Sequence, residues 1–372
     1  MNKLILEKLT EQKESPEYMQ ISWAAAMTLG LIPGEFYRDT KLSCINTLLT
    51  YPSGCHATCA YCGLQKAREI EYSKKNFIRV EWPTVKLDDI IERTKKVGHA
   101  ERLCISQITH PRSIRDTKYI LEKVHRELGD KLFISILLNA TGHTYEDLEE
   151  YKKLGADTLT VALDAATPEL FEKLRGRPMN SPHRWETYWK VLEWCADIMD
   201  DGYVGCHLIV GLGETEEEIM RTIQKVRDLG GRTHLFSFWP EEGSLMEKEK
   251  PCPASQYRRV QMARYLIDNG LARYEDMKFN EKGQIIDWGV SKEVFEEIFW
   301  SGRPFMTAGC RGKTTEVACN RPFGDCSVTD IKSYPFRPNK NDLKRIRKQM
   351  FDYEMETHYP DILNPSSFRY AH

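Results

Sequence analysis

Between residue 45 and about residue 245 the chain alternates short apolar runs with longer amphipathic, charged stretches. The runs Ile45-Asn46-Thr47-Leu48-Leu49, Arg102-Leu103-Cys104-Ile105-Ser106 and Leu132-Phe133-Ile134-Ser135-Ile136-Leu137 are of strand length and bounded by polar segments. They predict strands at 45–49, 101–108 and 132–138, and similar runs predict strands at 157–163, 203–210 and 233–238. The stretches between predict helices near 113–128, 144–154, 167–199 (broken around Gly176-Arg177-Pro178) and 215–229. Thr144-x-x-Asp147 and Thr215-x-x-Glu218 have the form of capping boxes, and Thr167-Pro168 sets a cap residue before proline at the first helical position. Gly129, Gly155 and Gly230 stand where helices should stop.

Strand–helix alternation with short connections implies a parallel sheet. Six such units in succession predict an α/β fold, a partial (β/α)6 TIM-like barrel, although an open doubly wound sheet gives the same alternation. Residues 1–40 read as a mostly polar helical extension with an apolar patch at Trp23-Ala24-Ala25-Ala26-Met27. Residues 41–250 form the expected barrel. Residues 251–372 form a C-terminal extension that opens with an amphipathic helix over 253–268 and becomes rich in Gly, Pro and aromatics. The basic stretch 341–348 reads as a helix with a solvated face.

Composition narrows the classes. The 372 residues are 41% hydrophobic and 29% charged, with a formal charge of −2, which makes no case for nucleic acid or a membrane surface. No apolar run approaches the roughly 20 residues that span a bilayer. No secretion signal is visible, so a cytoplasmic location is expected. Eleven cysteines in such a chain point to metal ligation rather than to a disulfide framework.

The most telling cysteines are in Cys55-His56-Ala57-Thr58-Cys59-Ala60-Tyr61-Cys62, directly after the first predicted strand. In a barrel that loop lies on the active-site face. Three thiolates can hold three irons of a [4Fe–4S] cluster and leave the fourth open. Zinc is the alternative, but it favours a closed set of four donors, and His56 is poorly placed beside Cys55 to complete one. The C-x3-C-x-aromatic-C spacing resembles the signature of the radical S-adenosylmethionine (SAM) enzymes. The resemblance implies that Cys55, Cys59 and Cys62 ligate a [4Fe–4S] cluster whose open iron binds SAM and cleaves it to a 5′-deoxyadenosyl radical. It also implies that Tyr61 packs near the adenine.

Further segments resemble the same family. Gly205-Cys206-His207-Leu208-Ile209-Val210-Gly211-Leu212-Gly213-Glu214 is similar to its fifth-strand G-x-I-x-G-x-x-E motif, in which Gly211 would permit close approach to the adenine. Leu163-Asp164-Ala165-Ala166-Thr167-Pro168-Glu169 resembles the biotin synthase group, where the matching Asp binds the SAM ribose. Arg175 or Arg177 would pair with the SAM carboxylate. Many members carry G-G-E after the second strand; Ile105-Ser106-Gln107-Ile108 stands here instead, with Ser106 and Gln107 as acceptors for the SAM amino group.

A second cysteine group, Cys310, Cys319 and Cys326, falls in the loop-rich tail and reads as the ligand set of an auxiliary iron–sulfur cluster, with structural zinc as the alternative. Cys44, Cys104, Cys195, Cys206 and Cys252 read as isolated, and Cys104 and Cys206 as core residues of strands. Gly309-Cys310, Cys319-Asn320-Arg321-Pro322-Phe323 and Tyr334-Pro335 resemble the tail of biotin-synthase-like proteins that include the two-protein, archaeal-type lipoyl synthases. The insertion Arg311-Gly312-Lys313-Thr314-Thr315-Glu316 departs from that pattern. Ser366 or Ser367 loosely resembles the serine ligand at the tail of classical lipoyl synthases. The resemblance implies sulfur insertion into an octanoyl chain, with the auxiliary cluster as sulfur donor. The implied partners are an octanoylated carrier protein or peptide, a partner synthase and a low-potential electron donor. The alternatives are another radical SAM reaction, such as a methylation or rearrangement in cofactor biosynthesis, and a zinc-stabilised binding module without enzymatic activity.

Overall fold

All six runs read as strands are strands in the computed structural model, which describes residues 13–321 and 328–354. Eight strands form the main sheet: β1 (Tyr18–Ile21), β2 (Cys44–Leu49), β3 (Thr84–Lys86), β4 (Arg102–Ser106), β5 (Phe133–Leu138), β6 (Thr158–Asp164), β7 (Val204–Val210) and β8 (Arg232–Ser237). Their order is β8-β7-β6-β5-β4-β2-β1-β3. Neighbours from β2 to β8 are parallel, and β1 pairs antiparallel with both β2 and β3.

The helices are α1 (Trp23–Thr28), α2 (Leu87–Lys96), α3 (Ser113–Leu128), α4 (Tyr145–Lys153), α5 (Pro168–Arg175), α6 (Trp185–Ile198), α7 (Glu216–Asp228), α8 (Ala254–Asp268), α9 (Lys292–Ser301) and α10 (Lys340–Met350). Both capping boxes form: the Thr144 and Thr215 hydroxyls accept from the backbone N–H three residues on, and Asp147 and Glu218 return the bond. Thr167 caps α5 with Pro168 at its first position. The chain breaks between α5 and α6 where Gly176 and Pro178 interrupt the helical pattern.

Side chains alternate across each strand. Ile45, Leu103, Ile105, Ile134, Ile136, Leu159, Val161, Cys206 and Leu208 are buried in the hydrophobic core. The opposite parity of all six parallel strands lines one cavity: Asn46 and Leu48, Cys104 and Ser106, Leu137, Thr160 and Ala162, His207 and Ile209, His234 and Phe236. A sheet whose strands share a single lumen in this way is curled, so the architecture is the partial (β/α)6 barrel and not the open doubly wound sheet.

One segment departs from its pattern. The polar N-terminal stretch supplies strand β1 as well as the short helix α1. All four residues of Tyr18–Ile21 are buried, and Met19 pairs with both Leu49 and Val85. A four-residue run is too short to display its period, and the exposed edge of β2 recruited it.

Candidate functional site

The cysteine loop leaves the C-terminal end of β2 and is tied to its neighbours through the backbone. Ala60 N–H donates to the Leu174 carbonyl at the end of α5 (2.7 Å), His56 N–H to Thr109 beyond β4 (2.7 Å), and Met246 N–H to Ala60 (3.2 Å). Cys55, Cys59 and Cys62 are free, partly exposed thiols that line the cavity, which measures about 250 Å³. Burial pushes the Cys59 thiol up to about 11 and that of Cys62 well up, with the other loop thiols adding to the rise at Cys62. Loading iron therefore has to displace protons from these sulfurs.

Among the described residues, no three His, Cys, Asp or Glu side chains surround a point that could hold a single metal ion. Thiolates of a cubane cluster bind separate irons, so three thiols that border one cavity are a donor set such a cluster can use. His56 is directed elsewhere: its ring meets His110 edge-on at 4.9 Å and shares a 3.4 Å hydrogen bond with Ser53. The residues present thus fit an iron–sulfur cluster.

Beside the loop is a buried polar triad. The Tyr61 hydroxyl donates to Asp164 Oδ2 (2.6 Å), and Arg175 Nη1 donates to the same oxygen (2.8 Å). Arg175 is 4% exposed and also donates to the carbonyls of Ala162 (2.6 Å) and Leu163 (3.1 Å) and to the Tyr188 hydroxyl (2.9 Å), while its Nε has no partner among the described residues. Burial raises the Asp164 carboxyl above its ordinary range, and Arg175 and Tyr61 oppose that rise. Tyr61, Asp164 and Arg175 all line the cavity. In this structure the carboxylate facing Arg175 is that of Asp164. Arg177 lies at the surface, with its side chain 72% exposed and 3.8 Å from Glu172.

The remaining expected SAM contacts divide. Ser106 lines the cavity, within 3.9 Å of Cys104 Sγ. Gln107 also borders it, but its amide is engaged: Nε2 donates to Thr117 (3.1 Å) and Tyr151 (2.9 Å), and Oε1 accepts from Asn139 N–H (3.2 Å). Gly211 is not among the lining residues. Its φ is +94°, and a Cβ there would stand 2.7 Å from Cys252 Cβ, so glycine is required for packing against Cys252. Gly211 N–H instead donates to Glu214 Oε1 (2.6 Å), closing the strand-to-helix turn.

Cys310 and Cys319 line the same cavity as the first group, together with Cys104. The insertion 311–316 folds under the barrel: Arg102 Nε donates to the Arg311 carbonyl (2.8 Å), and Thr314 and Thr315 N–H donate to Glu101 (3.0 and 3.1 Å). Asn320 then ties the tail to the start of β2, donating to Lys41 O (2.8 Å) and accepting from Ser43 N–H (3.3 Å). This clamp brings Cys319 against Cys44. A hydrogen bond from Cys44, the charge of Arg321 and a hydrogen bond from Asn46 pull the Cys319 thiol down to about 6 against its burial.

Two cysteines read as isolated are therefore misread. Cys104 faces the lumen, and Cys44 contacts Cys319; neither is simply core. Their shared face follows from register, since Cys44 stands opposite Arg102 and Asn46 opposite Cys104. The available signal was polar residues at lumen parity in otherwise apolar strands. Cys206 is a core residue, as read. Cys326, and the serines Ser366 and Ser367, lie outside the described residues.

No helix among the described residues is long and apolar enough to cross a membrane. No curated protein matches the chain. Three solved structures overlap it in part. Methylornithine synthase (PylB) is 16% identical over 66% of this chain and 66% of its own, with a TM-score of 0.48. HydG, a maturase of the [FeFe]-hydrogenase, is 14% identical over 66% and 53%, with a TM-score of 0.48. Coproporphyrinogen III oxidase (HemN) from Escherichia coli, titled a radical SAM enzyme, is 17% identical over 65% and 54%, with a TM-score of 0.36. The chain thus spans less than two thirds of the length of these proteins. Residues 49–226 match the family model of the Radical SAM superfamily, the stretch that runs from the end of β2 through the cysteine loop to α7. That stretch is accordingly similar to a radical SAM superfamily domain, a family that implies a [4Fe–4S] cluster and S-adenosylmethionine.

Proposed function

We propose that this chain is a radical SAM enzyme that inserts sulfur into an octanoyl chain, as lipoyl synthases do, with a second iron–sulfur cluster as the sulfur source. The observation that carries the reading is the shared lumen: Cys55, Cys59 and Cys62 border the same cavity as Cys104, Cys310 and Cys319. When bound, a [4Fe–4S] cluster with one open iron supplies the electron that cleaves SAM.

The protein's own residues do the rest. Cys55, Cys59 and Cys62 hold the cluster, Tyr61 borders the SAM pocket, and Asp164, fixed by Arg175, presents a carboxylate to the ribose. Leu48, Ile108, Leu137, Leu138, Phe236 and Phe238 give the lumen an apolar lining suited to an alkyl chain and to the exclusion of water. The octanoyl group would arrive on a carrier protein or peptide, a low-potential donor would reduce the cluster, and a partner synthase would share the two insertions.

The test is anaerobic reconstitution with iron and sulfide, then incubation with SAM, a reductant and an octanoylated carrier peptide, followed by mass analysis. The reading expects 5′-deoxyadenosine and a peptide that gains sulfur. Formation of 5′-deoxyadenosine from SAM without sulfur gain, with or without a partner synthase, would turn the assignment to another radical SAM reaction. A colourless, zinc-bearing protein would turn it to the binding module. Cys59→Ala should leave a folded chain that forms no 5′-deoxyadenosine; continued formation would remove Cys59 from the site.

A further inference from the structure

We propose that the floor of the barrel is a second iron–sulfur site whose ligands are Cys104, Cys310 and Cys319. This deepens the reading above and rests on its iron–sulfur chemistry.

The argument is geometric. Cys104 comes from the middle of β4, while Cys310 and Cys319 come from the tail, yet all three are free thiols bordering one lumen. Cys319 N–H donates to the Cys310 carbonyl (3.2 Å), which fixes these two residues relative to one another. Cys310 Sγ lies 3.9 Å from Thr160 Oγ1 on β6, and Asn46 Nδ2 donates to Cys319 Sγ at 3.6 Å. The thiols are thus held from three strands and the tail at once.

A second observation points to a ligand. Asn46 is 4% exposed and lines the cavity beside these cysteines, yet its Oδ1 has no hydrogen-bond partner among the described residues. A buried amide oxygen without a partner is costly unless something fills the site. The charge surroundings also suit an anionic cluster: Arg321 lines the cavity with these cysteines, and Arg102 donates to the carbonyl of Arg311, the residue after Cys310. Cys195, by contrast, lies in the hydrophobic core.

The three thiols come from separate places in the chain and border one lumen, a donor set that irons of a shared cluster can use. Three ligands leave one position open toward the lumen. Cys104 stands opposite Asn46, three residue steps of β2 below Leu49, so at about 3.3 Å per step the site lies roughly 10 Å below the strand end from which the cysteine loop leaves.

The experiment uses the full chain with Cys55, Cys59 and Cys62 all changed to Ala, reconstituted anaerobically with iron and sulfide. The expected result is a brown protein retaining about four irons per chain, against about eight for the wild type, if both groups are cubanes. Adding Cys104→Ala, Cys310→Ala or Cys319→Ala should strip that iron while far-UV circular dichroism stays unchanged, with Cys319→Ser as the gentler variant. Adding Cys326→Ala should leave the iron in place. Absence of iron from the triple variant, zinc in its place, or iron lost with Cys326→Ala but kept with Cys104→Ala would overturn the proposal. Iron retained in the triple variant, with no sulfur gained by an octanoylated peptide on the wild-type chain, would sink the sulfur-insertion reading alone.

Discussion

Asp164 shows how much a single residue is asked to do. It ends β6 at a bulge with φ +63°, a left-handed conformation that Asp tolerates better than longer side chains. The bend turns its carboxylate to receive both Tyr61 and Arg175 on Oδ2. Asp164→Asn keeps the size but halves the acceptor character, and should raise the KM for SAM at least tenfold with the cluster iron unchanged; titration of 5′-deoxyadenosine formation against SAM checks this. His143 offers a test of a different kind. It is buried at the end of the β5 connection, and burial, aided by Lys118 and opposed by Asp147 and two backbone carbonyls, lowers its pKa to about 4. An unfolded histidine takes up its proton near 6.5. The stability this neutral ring contributes is therefore complete above pH about 6.5 and lost as pH falls toward 4. Between pH 7 and pH 5, His143→Gln should lose less stability than the wild type in denaturant titrations, and equal losses would dismiss the effect.

At the scale of elements, a buried ion pair joins α7 and α8. Glu216, in the first turn of α7, accepts from Arg259 of α8 at 2.7–2.9 Å, and both side chains are at most 2% exposed. Glu216 also accepts from Ile285 N–H, and Arg259 reaches the carbonyls of Met350 and Asp352. Glu216→Ala would strand a buried guanidinium and should cost about 3–5 kcal/mol, read as a lower denaturant midpoint at unchanged slope. The element pattern itself was largely legible. Thr144, Thr167 and Thr215 mark helix starts because capping is local chemistry that needs no tertiary partner. Strand β1 was not legible, because its pairing is with the distant edges of β2 and β3.

For the whole molecule, the decisive feature is that the tail closes the barrel floor. Asn320 is buried and carries two of the bonds that hold it, so Asn320→Ala should cost about 1–3 kcal/mol and speed limited proteolysis within residues 308–321. Proteolysis at the wild-type rate would remove Asn320 from the clamp. By itself, the sequence determined the alternation that makes a parallel sheet, the caps that bound its helices, and the Cys55, Cys59 and Cys62 loop, since each is set by neighbours a few positions apart. Gly211 looked like a cofactor contact, and only the packing of Cys252 against it showed another reason for glycine. Cys44 and Cys104 looked solitary, because their partners are more than 200 residues away in the chain. Tertiary structure alone decided their grouping with Cys310 and Cys319. Parallel register sets lumen parity, and long-range hydrogen bonds from the tail decide which thiols meet; neither leaves a periodic trace in the chain.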